Sequence, residues 1–148
     1  GSSNSLKHIN GLNGVSKTDT YTDLRDGRFI EFDIKIDEGV GAGIYFETDN
    51  EEQACVFINH KKQRIELGFI KNGWGGNQVL LKDLYKYFEI PKKSAIKMIV
   101  RRYFTEVYIN NNFVVGWRIT SPIKPNNFGI YSEDSTGYIK DLKIWGIK

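Results

Sequence analysis

The chain has 148 residues, 40% of them apolar, which suits one domain with an ordinary core. Its 21 basic and 18 acidic side chains leave a net charge of +3 with the two signs interspersed, so it lacks the concentrated basic footprint of a nucleic-acid binder. No apolar run reaches the length of a membrane span, and neither nucleic acid nor membrane is an expected partner. The lone cysteine, Cys55, has no partner for a disulfide within the chain and reads as a small buried hydrophobe. Gly1-Ser2-Ser3 reads as the remnant of a cleaved tag, so the lack of a signal peptide ahead of it carries no information about secretion.

Residues 1–20 are polar, with Leu6, Ile9, Leu12 and Val15 at roughly three-residue spacing, and read as a linker or a loosely attached edge segment. A single domain is expected over 21–148. From Phe29 a period of two is plain: Ile30, Phe32, Ile34 and Ile36 alternate with Glu31, Asp33 and Lys35, the pattern of a half-buried antiparallel strand. Gly39, Gly41 and Gly43 predict a turn, and strands are expected over 44–46, 54–58 and 65–69. Only Leu80 to Tyr87 could form a helical turn or two, ended by Pro91. Ile96, Met98 and Val100 alternate, as do Val107 and Ile109, and Asn110-Asn111-Asn112 forms a tight turn into the next strand. Phe128 and Ile130, then Ile139, Leu142 and Ile144, predict two closing strands. Eight or more short strands with regular turn signals define the expected fold class: all-β, a two-sheet antiparallel sandwich of jelly-roll or lectin-like type.

Catalytic chemistry is sparse. The glycines at 39–43 join strands and open no helix, so they do not make a phosphate cradle. His8 and His60 are the only histidines, without metal-ligand spacing or an adjacent nucleophile. Glu31 and Asp33 have the spacing of paired carboxylates on one strand and resemble the signature of retaining family 16 glycosidases. That signature ends in a proton-donating Glu where this chain has Ile36, so the two-carboxylate mechanism lacks its acid.

The order of Phe32-Asp33-Ile34-Lys35-Ile36, Gly41-Ala42-Gly43-Ile44, Phe46-Glu47-Thr48-Asp49, Glu106-Val107-Tyr108-Ile109-Asn110-Asn111, Asn127-Phe128-Gly129-Ile130-Tyr131 and Gly137-Tyr138-Ile139-Lys140-Asp141-Leu142 resembles the family 66 carbohydrate-binding modules. These are relatives of the C-terminal β-sandwich of family 32 fructan hydrolases, and the resemblance spans about residues 28 to 147. It implies a concanavalin A-like jelly roll that binds terminal sugar units of a polysaccharide, has no catalysis of its own and holds a parent catalytic domain in the same chain on its substrate. It also implies a secreted, extracellular bacterial protein. Glu47 stands where fructan-binding members carry Arg, and Glu133 where they carry Trp, which implies an altered specificity. Fructan and an acidic plant polysaccharide such as pectin are the expected ligands.

Sugars are held by an aromatic ring against the apolar ring face and by polar groups on the hydroxyls. A meander of three strands puts the loops after Asp49 and after Lys71 at one end of the sandwich. Trp74, between glycines in the second loop, is either a stacking platform or a ring folded back over the sheet edge. The stretch around Tyr131, Ser132, Glu133, Asp134, Ser135 and Thr136 is rich in oxygen acceptors and reads as sugar-hydroxyl ligands, as a structural Ca²⁺ site, or as a solvated hairpin turn. The expected carbohydrate-binding set is Trp74, Glu47, Asp49, Tyr131, Glu133 and Asp134, with no cofactor beyond that Ca²⁺. Trp117 and Trp145 are expected in sheet packing, and Lys92, Lys93, Lys97, Arg101 and Arg102 as a wet surface able to meet a polyuronate. Two other classes remain: a structural sandwich packed on a catalytic domain, and a glycoside hydrolase or lyase.

Overall fold

The computed structural model describes residues 6–10, 14–17, 25, 27–72, 78–119, 121–124 and 128–146. Every named element among them is a strand: β1 (Leu6–Asn10), β2 (Gly14–Lys17), β3 (Arg28–Glu47), β4 (Gln53–Asn59), β5 (Arg64–Asn72), β6 (Gln78–Tyr87), β7 (Lys93–Arg101), β8 (Phe104–Ile109), β9 (Asn112–Arg118) and β10 (Gly129–Gly146). All pairings are antiparallel.

The architecture follows from two long strands. β3 and β10 run side by side along nearly their whole length. The first half of β3 pairs on its other edge with β7, and its second half with β4. The strands therefore sort into two layers that share β3 and β10: sheet I, in the order β6-β5-β4-β3-β10-β2, and sheet II, in the order β9-β8-β7-β3-β10-β1. Even-numbered residues of β3 face inward in both halves, so Ile30, Phe32, Ile34 and Ile36 join Ala42, Ile44 and Phe46 in one core. Phe69 of β5 and Trp117 of β9 close that core across the layers, ring centroids 5.7 Å apart. The two-sheet jelly-roll sandwich and the packing role of Trp117 thus stand.

Three local expectations are corrected. Gly39, Gly41 and Gly43 make no turn; they lie inside β3, where the strand passes from one layer to the other. Gly39 has φ 103, and a Cβ there would lie 1.8 Å from the Asp134 carbonyl oxygen, so the close approach of β10 demands glycine. Residues 80–87 belong to β6 and not to a helix. A register shift against Leu67 and Gly68 breaks the period of two, which leaves Leu80, Leu81 and Leu84 at a helix-like spacing. The acceptor-rich stretch at 131–138 is no hairpin loop, because β10 continues through it. The Asn110-Asn111 turn is as expected, with both residues at positive φ between β8 and β9.

The β3–β10 ladder carries two offsetting bulges. An extra residue on β3, Asp37, lies between the Ile36–Gly137 and Glu38–Thr136 pairs, and an extra residue on β10 lies between Lys140 and Lys143. Together they let both strands bend while Ile139 and Ile144 both stay in the core.

Candidate functional site

Odd-numbered residues of β3 point out of the sandwich on sheet I, and the registers align them in rows across the strands. From β10 to β6 one row reads Gly129, Tyr45, Cys55, Gly68, Lys82. The next reads Tyr131, Gly43, Phe57, Glu66, Tyr85, and the last Glu133, Gly41, Asn59, Arg64, Tyr87.

Such an outer face would ordinarily be wet, yet its centre is dry. Tyr45, Cys55, Phe57, Ile70, Leu80 and Tyr131 form a second cluster of buried side chains. Phe57 and Tyr131 meet edge to face over the bare backbone of Gly43, centroids 5.6 Å apart, and Tyr45 lies over Gly129 in the same way. Sheet I also rolls toward this face: its edge strands β2 and β6 bring Cα atoms within 8 Å of each other. Burial and the neighbouring Glu133 and Glu66 charges push the Cys55 thiol well up, which disfavours its thiolate.

The face opens along β5 and β6, where the chemistry turns polar. Glu66 is 1% exposed in its side chain and is held from three sides: Arg64 Nε donates to Oε2 at 2.6 Å, Asn59 Nδ2 donates to Oε1 at 3.1 Å, and Lys82 Nζ stands 3.7 Å from Oε2. A buried carboxylate needs such company, since an unpaired one costs several kcal/mol. Arg64 in turn stacks on Tyr85, its Cζ 4.1 Å from the ring centroid, and Nη1 donates to the Tyr87 hydroxyl at 3.5 Å. Tyr85 and Tyr87 are 49% and 62% exposed and stand edge to face at 5.3 Å. Two of the five donors a guanidinium carries are engaged in these bonds. The ensemble combines exposed rings, a fixed planar donor group, an ammonium and an amide, all on rigid strands.

The expected site residues do not converge on one point. Glu47 ends β3, and Asp49 is exposed in the turn after it. That turn lies beside the end of β5, where Lys71 Nζ is 3.3 Å from Glu52 Oε2; the loop expected at 73–77 lies outside the described residues. Trp74 lies outside the described residues. Glu133 sits opposite Gly41, six residues back along β3 from Glu47 and thus about 20 Å away. Asp134 is exposed at the bend. Tyr131 is 0% exposed, so it packs the second cluster and offers no ring to a sugar; its hydroxyl donates to Glu133 Oε2 at 2.6 Å. Among the described residues, no three His, Cys, Asp or Glu side chains are grouped to hold a metal ion. Arg64, Glu66, Tyr85 and Tyr87 were not singled out from the sequence. The signal was there: Arg64 and Glu66 alternate with Ile65 and Leu67, and reading 80–87 as a strand puts Tyr85 and Tyr87 on one face.

Two curved antiparallel layers joined by shared long strands, with a polar and aromatic patch on the outside of one, define a lectin-like jelly roll. No family model matches the sequence, and no curated protein matches it. Solved structures do resemble it in fold. The carbohydrate binding module CBM66 from Bacillus subtilis superposes with a TM-score of 0.68 at 14% identity, over 94% of this chain and 94% of that one. The Caenorhabditis elegans galectin LEC-6 gives 0.58 at 6% identity, over 93% and 94%. The A. japonicus fructosyltransferase gives 0.64 at 9% identity, where 95% of this chain covers 26% of that enzyme. The resemblance to family 66 modules and to a domain of family 32 enzymes therefore holds as a likeness of fold.

Proposed function

We propose that the domain is a carbohydrate-binding module whose sugar site lies on the β5–β6 flank of sheet I. One observation carries the reading: the Arg64 guanidinium, fixed by buried Glu66, stands beside the exposed rings of Tyr85 and Tyr87. A pyranose or furanose ring stacks its apolar face on a tyrosine while its hydroxyls accept from Arg64 and Lys82. Arg64 and Lys82 against Glu66 leave a surplus positive charge, which suits a neutral sugar and favours an acidic one, so fructan and pectin-like polyuronate are both candidate ligands. The likeness to a binding module and to part of larger fructan-acting enzymes supports a role in tethering a polysaccharide-degrading enzyme to its substrate. On this reading the parent enzyme is a secreted bacterial one. The domain binds and does not cleave: the position of the glycosidase acid is filled by Ile36, which is apolar and buried.

Affinity electrophoresis through fructans, pectins, xylans and β-glucans tests the reading. Retardation by one class, lost in Tyr87→Ala and Arg64→Ala, is expected, with dissociation constants of about 10 µM to 1 mM for so exposed a contact. Trp74→Ala tests the loop predicted from the sequence. Unretarded migration through every gel, or release of reducing sugar, would overturn the proposal.

A further inference from the structure

The outer face of sheet II carries a depression of about 170 Å³ on the opposite side of the sandwich from the β5–β6 flank. Glu31 and Asp33 of β3, Lys97 of β7, Asn111 of the β8–β9 turn, and Asp141 and Lys143 of β10 line it. Glu31 stands directly across from Lys97 on one neighbouring strand and Lys143 on the other. Charges so placed ordinarily close into ion pairs, yet among the described residues none of these three carboxylates comes within 4.0 Å of an ammonium. Lys97 is held elsewhere, over the rings of Tyr108 at 5.0 Å and Phe29 at 5.9 Å. Asp141, at φ 57, belongs to the bulge that adds a residue to β10, and that bulge turns it toward the depression.

Acceptors and donors therefore surround a small hollow without consuming one another, beside two aromatic rings. This is the complement of a vicinal polyol, whose hydroxyls donate to carboxylates and accept from ammonium and amide groups. Three carboxylates against two lysines leave no surplus positive charge here, unlike the flank of sheet I, so a neutral sugar fits and a uronate does not.

We infer that the sheet II depression is a second saccharide site, selective for neutral sugar units, which makes the domain bivalent. The inference rests on the carbohydrate-binding reading. Two sites on opposite faces let one domain engage two polysaccharide chains, or two segments of one chain, and raise retention on an insoluble substrate through effective concentration.

Amide chemical-shift mapping with fructose and with galacturonate as separate probes decides the matter. Fructose is expected to shift two separable groups of amides: one on β5 and β6, the other around residues 31–33, 95–97, 111 and 141–143. Galacturonate is expected to shift the first group alone. Asp33→Ala is expected to weaken fructose binding at the second group about tenfold and to leave the first group and the rest of the spectrum unchanged. A second group that stays still while fructose saturates the first would overturn this inference alone, as would shifts that persist in Asp33→Ala. Stillness at both groups with both probes would overturn the carbohydrate-binding reading as well.

Discussion

Arg64 Nε lies 2.6 Å from Glu66 Oε2, and it is this contact that lets a carboxylate sit almost wholly out of water on the outer face of a sheet. The pair matters for stability and, on the proposed reading, for binding: Glu66 fixes the guanidinium offered to a sugar, and Arg64 neutralises a charge that burial would otherwise make costly. Removing one partner strands the other. Arg64→Ala is expected to lower unfolding free energy by about 3 kcal/mol, the low end for a broken buried pair because Asn59 and Lys82 still reach Glu66. The double variant Arg64→Ala with Glu66→Leu is expected to recover more than half of that loss while staying unable to bind sugar. Urea denaturation of the three proteins checks it, and a double variant less stable than Arg64→Ala would refute the account.

The sandwich was legible in the sequence wherever one face is wet and the other dry. β3 up to Ile36, β7 and β8 have that alternation, and their inward residues are those the period of two selects. Legibility failed where another force overrode the local signal. Glycine usually marks a turn, but Gly39, Gly41 and Gly43 admit the backbones of β4 and β10 at close range, so the local pattern of one long strand mimics two. The bulge in β6 erased its alternation and hid Tyr85 and Tyr87. Tyr131 alternates like a surface residue, yet it lies under the roll of sheet I, a tertiary effect that no window of sequence reports. Glu47 and Glu133 share an outward face but stand near opposite ends of it, because β3 and β10 both run straight through segments whose local sequence reads as turns.

Gly39 puts a number on that close approach. Its φ of 103 disfavours any other residue, and a Cβ would overlap the Asp134 carbonyl oxygen. Ser135 fastens the same junction: its buried hydroxyl accepts from the Gly41 amide at 2.6 Å. Gly39→Ala is expected to destabilise the fold by about 3 kcal/mol, through strain and forced separation of β3 from β10. Gly116→Ala is the control, since its Cβ would meet the movable Phe104 ring at 3.1 Å, and a loss under about 1 kcal/mol is expected. Equal losses at the two sites, measured by thermal and chemical denaturation, would show that the β3–β10 contact is not the constraint described.

His60 gives the domain a pH-dependent stability at the far end of β4. Both ring nitrogens are buried without hydrogen-bonding geometry to any partner, although the Ile58 and Pro91 backbones lie close. Burial disfavours the imidazolium and lowers the pKa from 6.5; the nearby backbone opposes this more weakly. The other polar and charged groups around the same cavity are Asp37, Glu38, Lys61, Gln63 and Lys92. The sign follows from proton uptake: as pH falls through 6.5 the unfolded chain binds a proton at this histidine while the folded chain still resists it. This stability is therefore fully present above 6.5 and is lost as pH falls toward the depressed folded value. Urea midpoints are expected to drop between pH 7.5 and pH 5.5 in the parent protein, and to drop less in His60→Leu, because the carboxylates titrate mostly below that window. Parallel curves for the two proteins would mean that His60 takes up its proton as readily in the fold as in the unfolded chain, and would refute the account.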